Sequence, residues 1–153
     1  MSDQLGFDER MMRRALEEAE ACLDSGDVPV GAVIARDGDL LVAAGNARER
    51  LQDPTAHAEV LALREASDVS DSWRLDGCTM YVTLEPCAMC AGAIVLARLD
   101  RVVFGARDPK AGFAGSLGNL LQDGRLNHRV DLNSGLLEEE CGELLRAFFR
   151  DRR

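Results

Sequence analysis

The sequence predicts an α/β fold, and three features carry that prediction. Two short runs rich in Val, Ile and Ala, residues 28–36 and 39–45, are joined by Asp37-Gly38, a strong two-residue hairpin signal. Residues 78–83 and 101–105 have strand composition and flank a segment of helix length, and strand, helix, strand at this spacing makes a right-handed parallel crossover. Helices with one apolar face open and close the chain.

Taken in order, residues 7–23 place Met11, Met12, Ala15, Leu16, Ala19, Cys22 and Leu23 near the helical period. Asp8 is expected as the N-cap, with Phe7 and Met12 at hydrophobic-staple spacing and Ser25-Gly26 as the stop. The hairpin follows, and its second strand ends at Asn46, whose amide offers a donor and an acceptor where a loop begins. By residue type alone Asn46 also reads as a turn-former leaving a strand. Asp53-Pro54 supply an N-cap and a first-turn proline for a helix to about residue 66, with His57 and Glu59 in its opening turns and Val60, Leu61 and Leu63 on its buried side. Residues 67–76 are polar and acidic apart from Trp73, so a surface loop with one anchoring aromatic is expected.

Leu84-Glu85 then lead from the strand into a helix carrying Cys87 and Cys90 and running to about residue 98. The motifs thus sit where strand ends meet helix starts, the usual place for sites in open α/β sheets. Glu85 is expected to end its strand in solvent, a hydrogen bond toward the cysteine site being the alternative. The long connection over 106–128 carries Gly112, Gly115, Gly118 and Gly124 and reads as a functional loop, with a helical turn at 119–122. An edge strand is expected at 129–132. The final helix, from Ser134, has Leu136, Leu137, Cys141, Leu144, Leu145, Phe148 and Phe149 on one face, with glutamates early and arginines late as the helix dipole prefers.

Length and composition bound the rest. A chain of 153 residues holds one domain with a substantial core, taken as 1–153. The opening residues lack a basic stretch followed by an apolar one, and the longest apolar run, 91–97, is far short of a membrane span. A soluble, cytoplasmic protein with no membrane partner is expected. A net charge of −9 argues against a general nucleic-acid binder, but the charge is uneven: residues 1–96 carry 18 acidic and 8 basic side chains, residues 97–153 nine and ten. The second half can still meet phosphate, and Arg146, Arg150, Arg152 and Arg153 gather at its end, where a solvated helix terminus explains them equally well. Five cysteines with one close pair do not form a disulfide framework; Cys22, Cys78 and Cys141 sit in apolar patterns and read as small buried hydrophobes.

The chemistry lies in Pro86-Cys87-Ala88-Met89-Cys90 and His57-Ala58-Glu59. Cysteines at i and i+3 share one face where they open a helix, and the free N–H groups there favour thiolate. With His57 as third ligand, one zinc ion would keep an open fourth position for water, the mark of a catalytic and not a structural site. Glu59 is poorly placed to share the metal but well placed to reach that water. His-x-Glu followed by P-C-x-x-C is the signature of the zinc nucleobase deaminases, with the glutamate as general acid/base. A thioredoxin-type redox pair would leave His57 and Glu59 unexplained, and a structural knuckle would need a fourth ligand.

Beyond these motifs the chain resembles the bacterial tRNA-specific adenosine deaminases of the cytidine/deoxycytidylate deaminase superfamily. The resemblance is carried by residues 28–33 (VPVGAV), 53–59 (DPTAHAE), 81–93 (YVTLEPCAMCAGA), 101–108 (RVVFGARD) and 127–130 (NHRV). It implies a three-layer α/β/α fold with a five-stranded mixed sheet, cytidine deaminase-like, in a homodimer. It also implies hydrolytic conversion of the wobble adenosine of a tRNA anticodon loop to inosine, with one zinc ion per subunit on His57, Cys87 and Cys90 and with Glu59 as proton shuttle. By the same resemblance Asn46 would bond the flipped base, Val30 and Leu84 would wall the pocket, and Asp108 would face the ribose. Arg48 and His128 are given no role. A deaminase of free guanine or cytosine is the alternative enzyme, and a catalytically silent zinc-binding protein the alternative of another class.

Overall fold

The computed structural model describes residues 2–152. Its elements in chain order are α1 (Ser2–Ala21), a 3-10 turn (Cys22–Ser25), β1 (Gly31–Arg36), β2 (Asp39–Gly45), the single-turn α2 (Arg48–Leu51), α3 (Ala58–Ser70), β3 (Cys78–Leu84), α4 (Ala88–Ala97), β4 (Arg101–Ala106), β5 (Asp131–Ser134) and α5 (Glu138–Asp151). Among the described residues the five strands form one mixed sheet in the order β2-β1-β3-β4-β5, with β1 antiparallel to both neighbours and β3, β4 and β5 parallel. This is the cytidine deaminase-like sheet that the resemblance implies.

Period-two alternation divides the core. Ala32, Ile34, Met80, Val82, Val102 and Phe104 point to the α3 and α4 side, where Ala58, Ala62, Ala66, Ala91 and Ile94 cover them. Val33, Ala35, Tyr81 and Val103 point the other way, against Met12, Ala15 and Leu16 of α1 and Cys141 of α5. The sheet is therefore a middle layer between helix pairs. Asp37 and Gly38 both take positive φ (55° and 78°), as the tightest hairpin turn requires. At Gly31 the backbone of α1 comes so near that an added methyl would overlap the Ala15 carbonyl.

Several local expectations are corrected. α1 starts well before residue 7, so Asp8 lies inside the helix and caps nothing; its carboxylate is buried and accepts from both terminal nitrogens of Arg101 (3.0 and 2.8 Å), from the Tyr81 hydroxyl (2.6 Å) and from Gln4 (2.9 Å). Phe7 packs edge-on against Tyr81. α3 starts at Ala58, not Pro54, because Asp53 closes a separate turn through the Thr55 N–H and α2 fills the loop before it. α3 also runs on to Ser70, so the following loop begins at residue 71. α4 ends at Ala97, with Arg98 as its left-handed cap. Trp73 anchors nothing in that loop; it is 64% exposed. Residues 119–122 form a turn closed by the Asn119 side chain and not a helix, β5 lies two residues later than expected, and α5 starts at Glu138. Cys22, Cys78 and Cys141 are buried, as expected.

Candidate active site

Two helix starts build the site. His57 is the N-cap residue of α3 and Cys87 that of α4, both with extended backbone and neither capping its helix with its side chain. Each side chain is thus free to project forward, beside the unpaired N–H groups of a first turn. Pro86 precedes the cap, two positions before the first helical residue. Cys90 follows in the first turn of α4, fully buried. The His57 Nδ1 lies 3.7 Å from Cys87 Sγ and 3.5 Å from Cys90 Sγ, and the possible ligand atoms of the three residues all fall within 4.8 Å of one another. Among the described residues no further His, Cys, Asp or Glu joins that group. Two thiols and one imidazole at this separation form a donor set that can hold a metal ion with a coordination position to spare.

The electrostatics agree with that chemistry. The Cys87 thiol is held down to about 3 by hydrogen bonding from Cys90, which outweighs burial, and by His57. Cys90 is pushed up because its proton serves Cys87 and because it is buried. His57 is raised by its bond to Cys87. Glu59, in the first turn of α3 and only 4% exposed, is pushed up to about 7 by burial, with His57 pulling it down and Cys87 opposing.

His57, Glu59 and Cys87 line a cavity of about 210 Å³ with Val28, Val30, Asn46, Arg48, Ala58, Leu84, Glu85, Asp108 and Ala111. Every site residue expected from the sequence but Cys90 therefore lines one hollow: His57, Glu59 and Cys87 with Asn46, Val30, Leu84 and Asp108, while Cys90 joins it through His57 and Cys87. Asn46 is 9% exposed; its Nδ2 donates to the Val28 carbonyl (3.1 Å) and its Oδ1 accepts from the Arg48 N–H (3.3 Å). One amide hydrogen and one lone pair are left over. Asp108 Oδ1 accepts from the Lys110 and Ala111 N–H groups, which folds its loop back over the hollow.

Three residues were missed. Arg48 is the one cation among the described residues that line the cavity. Asp27 is completely buried and accepts from the Glu49 (2.6 Å) and Arg50 (3.2 Å) N–H groups and the Ser25 hydroxyl, so it pins α2 behind Asn46. Glu85, expected in solvent, is 2% exposed and bonds to the loop after β4. Burial alone would raise its carboxyl, but its bonds from Ser116, Asp108 and Ala114 hold it below the usual range. Little local marks Asp27 or Glu85, because apart from Ser25 on Asp27 their donors lie 22 to 31 residues further on. His128, left without a role, bonds the Leu99 carbonyl through Nε2 (2.6 Å).

A mixed five-stranded sheet with His-x-Glu and P-C-x-x-C at two facing helix starts defines a deaminase of cytidine deaminase-like fold. The MafB19-like deaminase family model matches residues 7–153. A tRNA-specific adenosine deaminase of Bacillus subtilis (strain 168) is 53% identical over 95% of this chain and 91% of its own. A solved structure from biochemical and structural studies of A-to-I editing by tRNA:A34 deaminases at the wobble position of transfer RNA superposes with a TM-score of 0.86 at 42% identity, covering 89% of this chain and 99% of that one. A guanine deaminase from Nitrosomonas europaea follows at a TM-score of 0.79 and 27% identity, over 92% and 83% of the two chains. The chain belongs to the tRNA-specific adenosine deaminase family.

Proposed function

We propose that this protein hydrolytically deaminates the wobble adenosine of a tRNA anticodon loop to inosine, as one deaminase domain over residues 1–153 with one zinc ion per subunit. The observation that carries this reading is the meeting of His57, Cys87 and Cys90 within 4.8 Å, with buried Glu59 lining the same small cavity. His57 and the two cysteines would hold the ion, whose Lewis acidity, when bound, brings a water molecule's pKa toward neutrality. Glu59 accepts a proton from the attacking water and delivers it to N1 of the adenine ring. It then carries the second proton to the departing amino group, so that adenosine and water become inosine and ammonia. A pKa lifted toward neutrality suits a group that must take and return protons.

The substrate side follows from the walls. Asn46 offers its remaining amide hydrogen and lone pair to the base, Val30 and Leu84 sandwich it, and Asp108 receives the ribose hydroxyl through Oδ2, since Oδ1 is committed to its own loop. An anticodon loop suits so small a hollow because its bases are already unpaired and cost little to extrude. Exposed Leu96 and Trp73, with Val60, Leu63 and Ala93, form an apolar hollow between α3 and α4 that supports a homodimer. No helix among the described residues is long and apolar enough to cross a membrane, and a tRNA substrate supports a cytoplasmic site of action.

Purified protein incubated with an anticodon stem-loop carrying a wobble adenosine is expected to make inosine and to contain one zinc per chain. Free guanine and cytosine run beside it. Turnover of either free base, with no inosine in the hairpin, overturns the assignment in favour of a small-molecule deaminase.

A further inference from the structure

The loop after β4 is held by one carboxylate. Glu85 Oε1 accepts from the Asp108 N–H (2.9 Å) and the Ser116 hydroxyl, and Oε2 from the N–H groups of Ala114 (3.0 Å) and Ser116 (2.8 Å). A carboxylate has about four acceptor sites, so these donors use it completely. No lone pair remains to act as a second base or to turn a ligand of the neighbouring cysteine site. The bonds join the start of the loop, at Asp108, to a point eight residues on, at Ser116. The same loop is stitched to the cysteine segment by Phe113 N–H on the Pro86 carbonyl (2.8 Å) and by pairing of Gly112 with Cys87. A methyl group added at Gly112 would overlap the Glu85 carboxylate.

We propose that Glu85 is a positioning residue for substrate selection: it clasps residues 108–116 against the cysteine segment and thereby fixes where Asp108 stands over the cavity. This rests on the reading above in taking Asp108 as the ribose contact. Glutamine is the informative replacement. Its amide nitrogen must face one of the two donor pairs, and the less costly choice faces the Ser116 hydroxyl, which can turn to accept, and the Asp108 N–H, which cannot. Glu85→Gln therefore releases the loop at Asp108 itself. Gly112→Ala does so independently, by displacing the carboxylate without substituting any residue that lines the cavity.

The test has two arms. In the first, hydrogen exchange of wild type and Glu85→Gln is compared without substrate. The Asp108 amide should exchange at least about tenfold faster in the variant, with the β3 and β4 amides unchanged. Unchanged loop amides overturn the clasp, whatever the substrate is. In the second, stem-loop kinetics should show KM up about tenfold with kcat within about twofold and zinc content unchanged, the split expected when binding and not chemistry is lost. Gly112→Ala should give the same split. Glu85→Gln combined with Asp108→Ala should be no worse than Asp108→Ala alone, because both remove one contact. A fall in kcat with KM unchanged, or fully additive losses, overturns the proposal. Absence of inosine with wild type is a failure of the functional reading and not of the clasp, which the exchange arm decides separately.

Discussion

Glu59 is a carboxylate almost sealed from solvent beside two thiols, an arrangement that costs stability unless the group has work to do. Replacing it by alanine removes the proton carrier and leaves all three candidate metal ligands in place. Glu59→Ala is expected to retain one zinc per chain and its helix content while kcat on the stem-loop falls by about 10²–10⁴. Parallel metal analysis and single-turnover assay check this, and full activity would remove Glu59 as the shuttle. Glu59 was legible from sequence because its geometry is local: two residues after His57, at a helix start. Glu85 was not, although it stands only two residues before Cys87. Its four donors come from a loop that the chain reaches after α4 and β4, and a glutamate at a strand end gives no local sign of them.

At the scale of elements, α1 is locked to the sheet by Asp8. Its expected role as an N-cap rested on the residues beside it, whereas the residue that decides its place is Arg101, 93 positions away at the start of β4. Burial would raise the Asp8 carboxyl, but the bonds from Arg101, Tyr81 and Gln4 prevail and hold it below its ordinary value. A folded pKa below the unfolded one, about 3.9, contributes stability that is present above that pH and disappears as pH falls through the folded value. Asp8→Asn should therefore cost about 3 kcal/mol near neutrality, where it leaves Arg101 without its counter-charge. The difference from wild type should shrink below about pH 4. Urea titrations at pH 7 and pH 3 measure both numbers; an equal loss at the two values would mean that packing and not charge is at stake. The helix boundaries that moved have the same kind of cause. α3 opens at Ala58 because Asp53 is taken by the turn at Thr55, and a capping residue can serve only one structure.

At the scale of the whole molecule, Leu96 is 71% exposed on α4 and shares one hollow with exposed Trp73, so the two form a patch and not scattered single residues. Leu96→Asp puts a charge at the centre of the proposed dimer face and is expected to weaken self-association by about 10- to 100-fold, the loss of one buried leucine, without lowering helix content. Sedimentation over a concentration series reads this directly, and an unchanged mass would exclude that face. The sequence by itself determined the reaction class and the α/β frame and named the candidate ligands, because their motifs are written in short-range spacing: two-residue periods in strands, i and i+3 at a helix start, a two-residue turn with positive φ. Only the tertiary structure decided which carboxylates are structural anchors, where Asp108 is held, and which apolar side chains stay uncovered. Those outcomes depend on partners brought together by the order of strands in the sheet, and neither a residue's type nor its neighbours in the chain specify them.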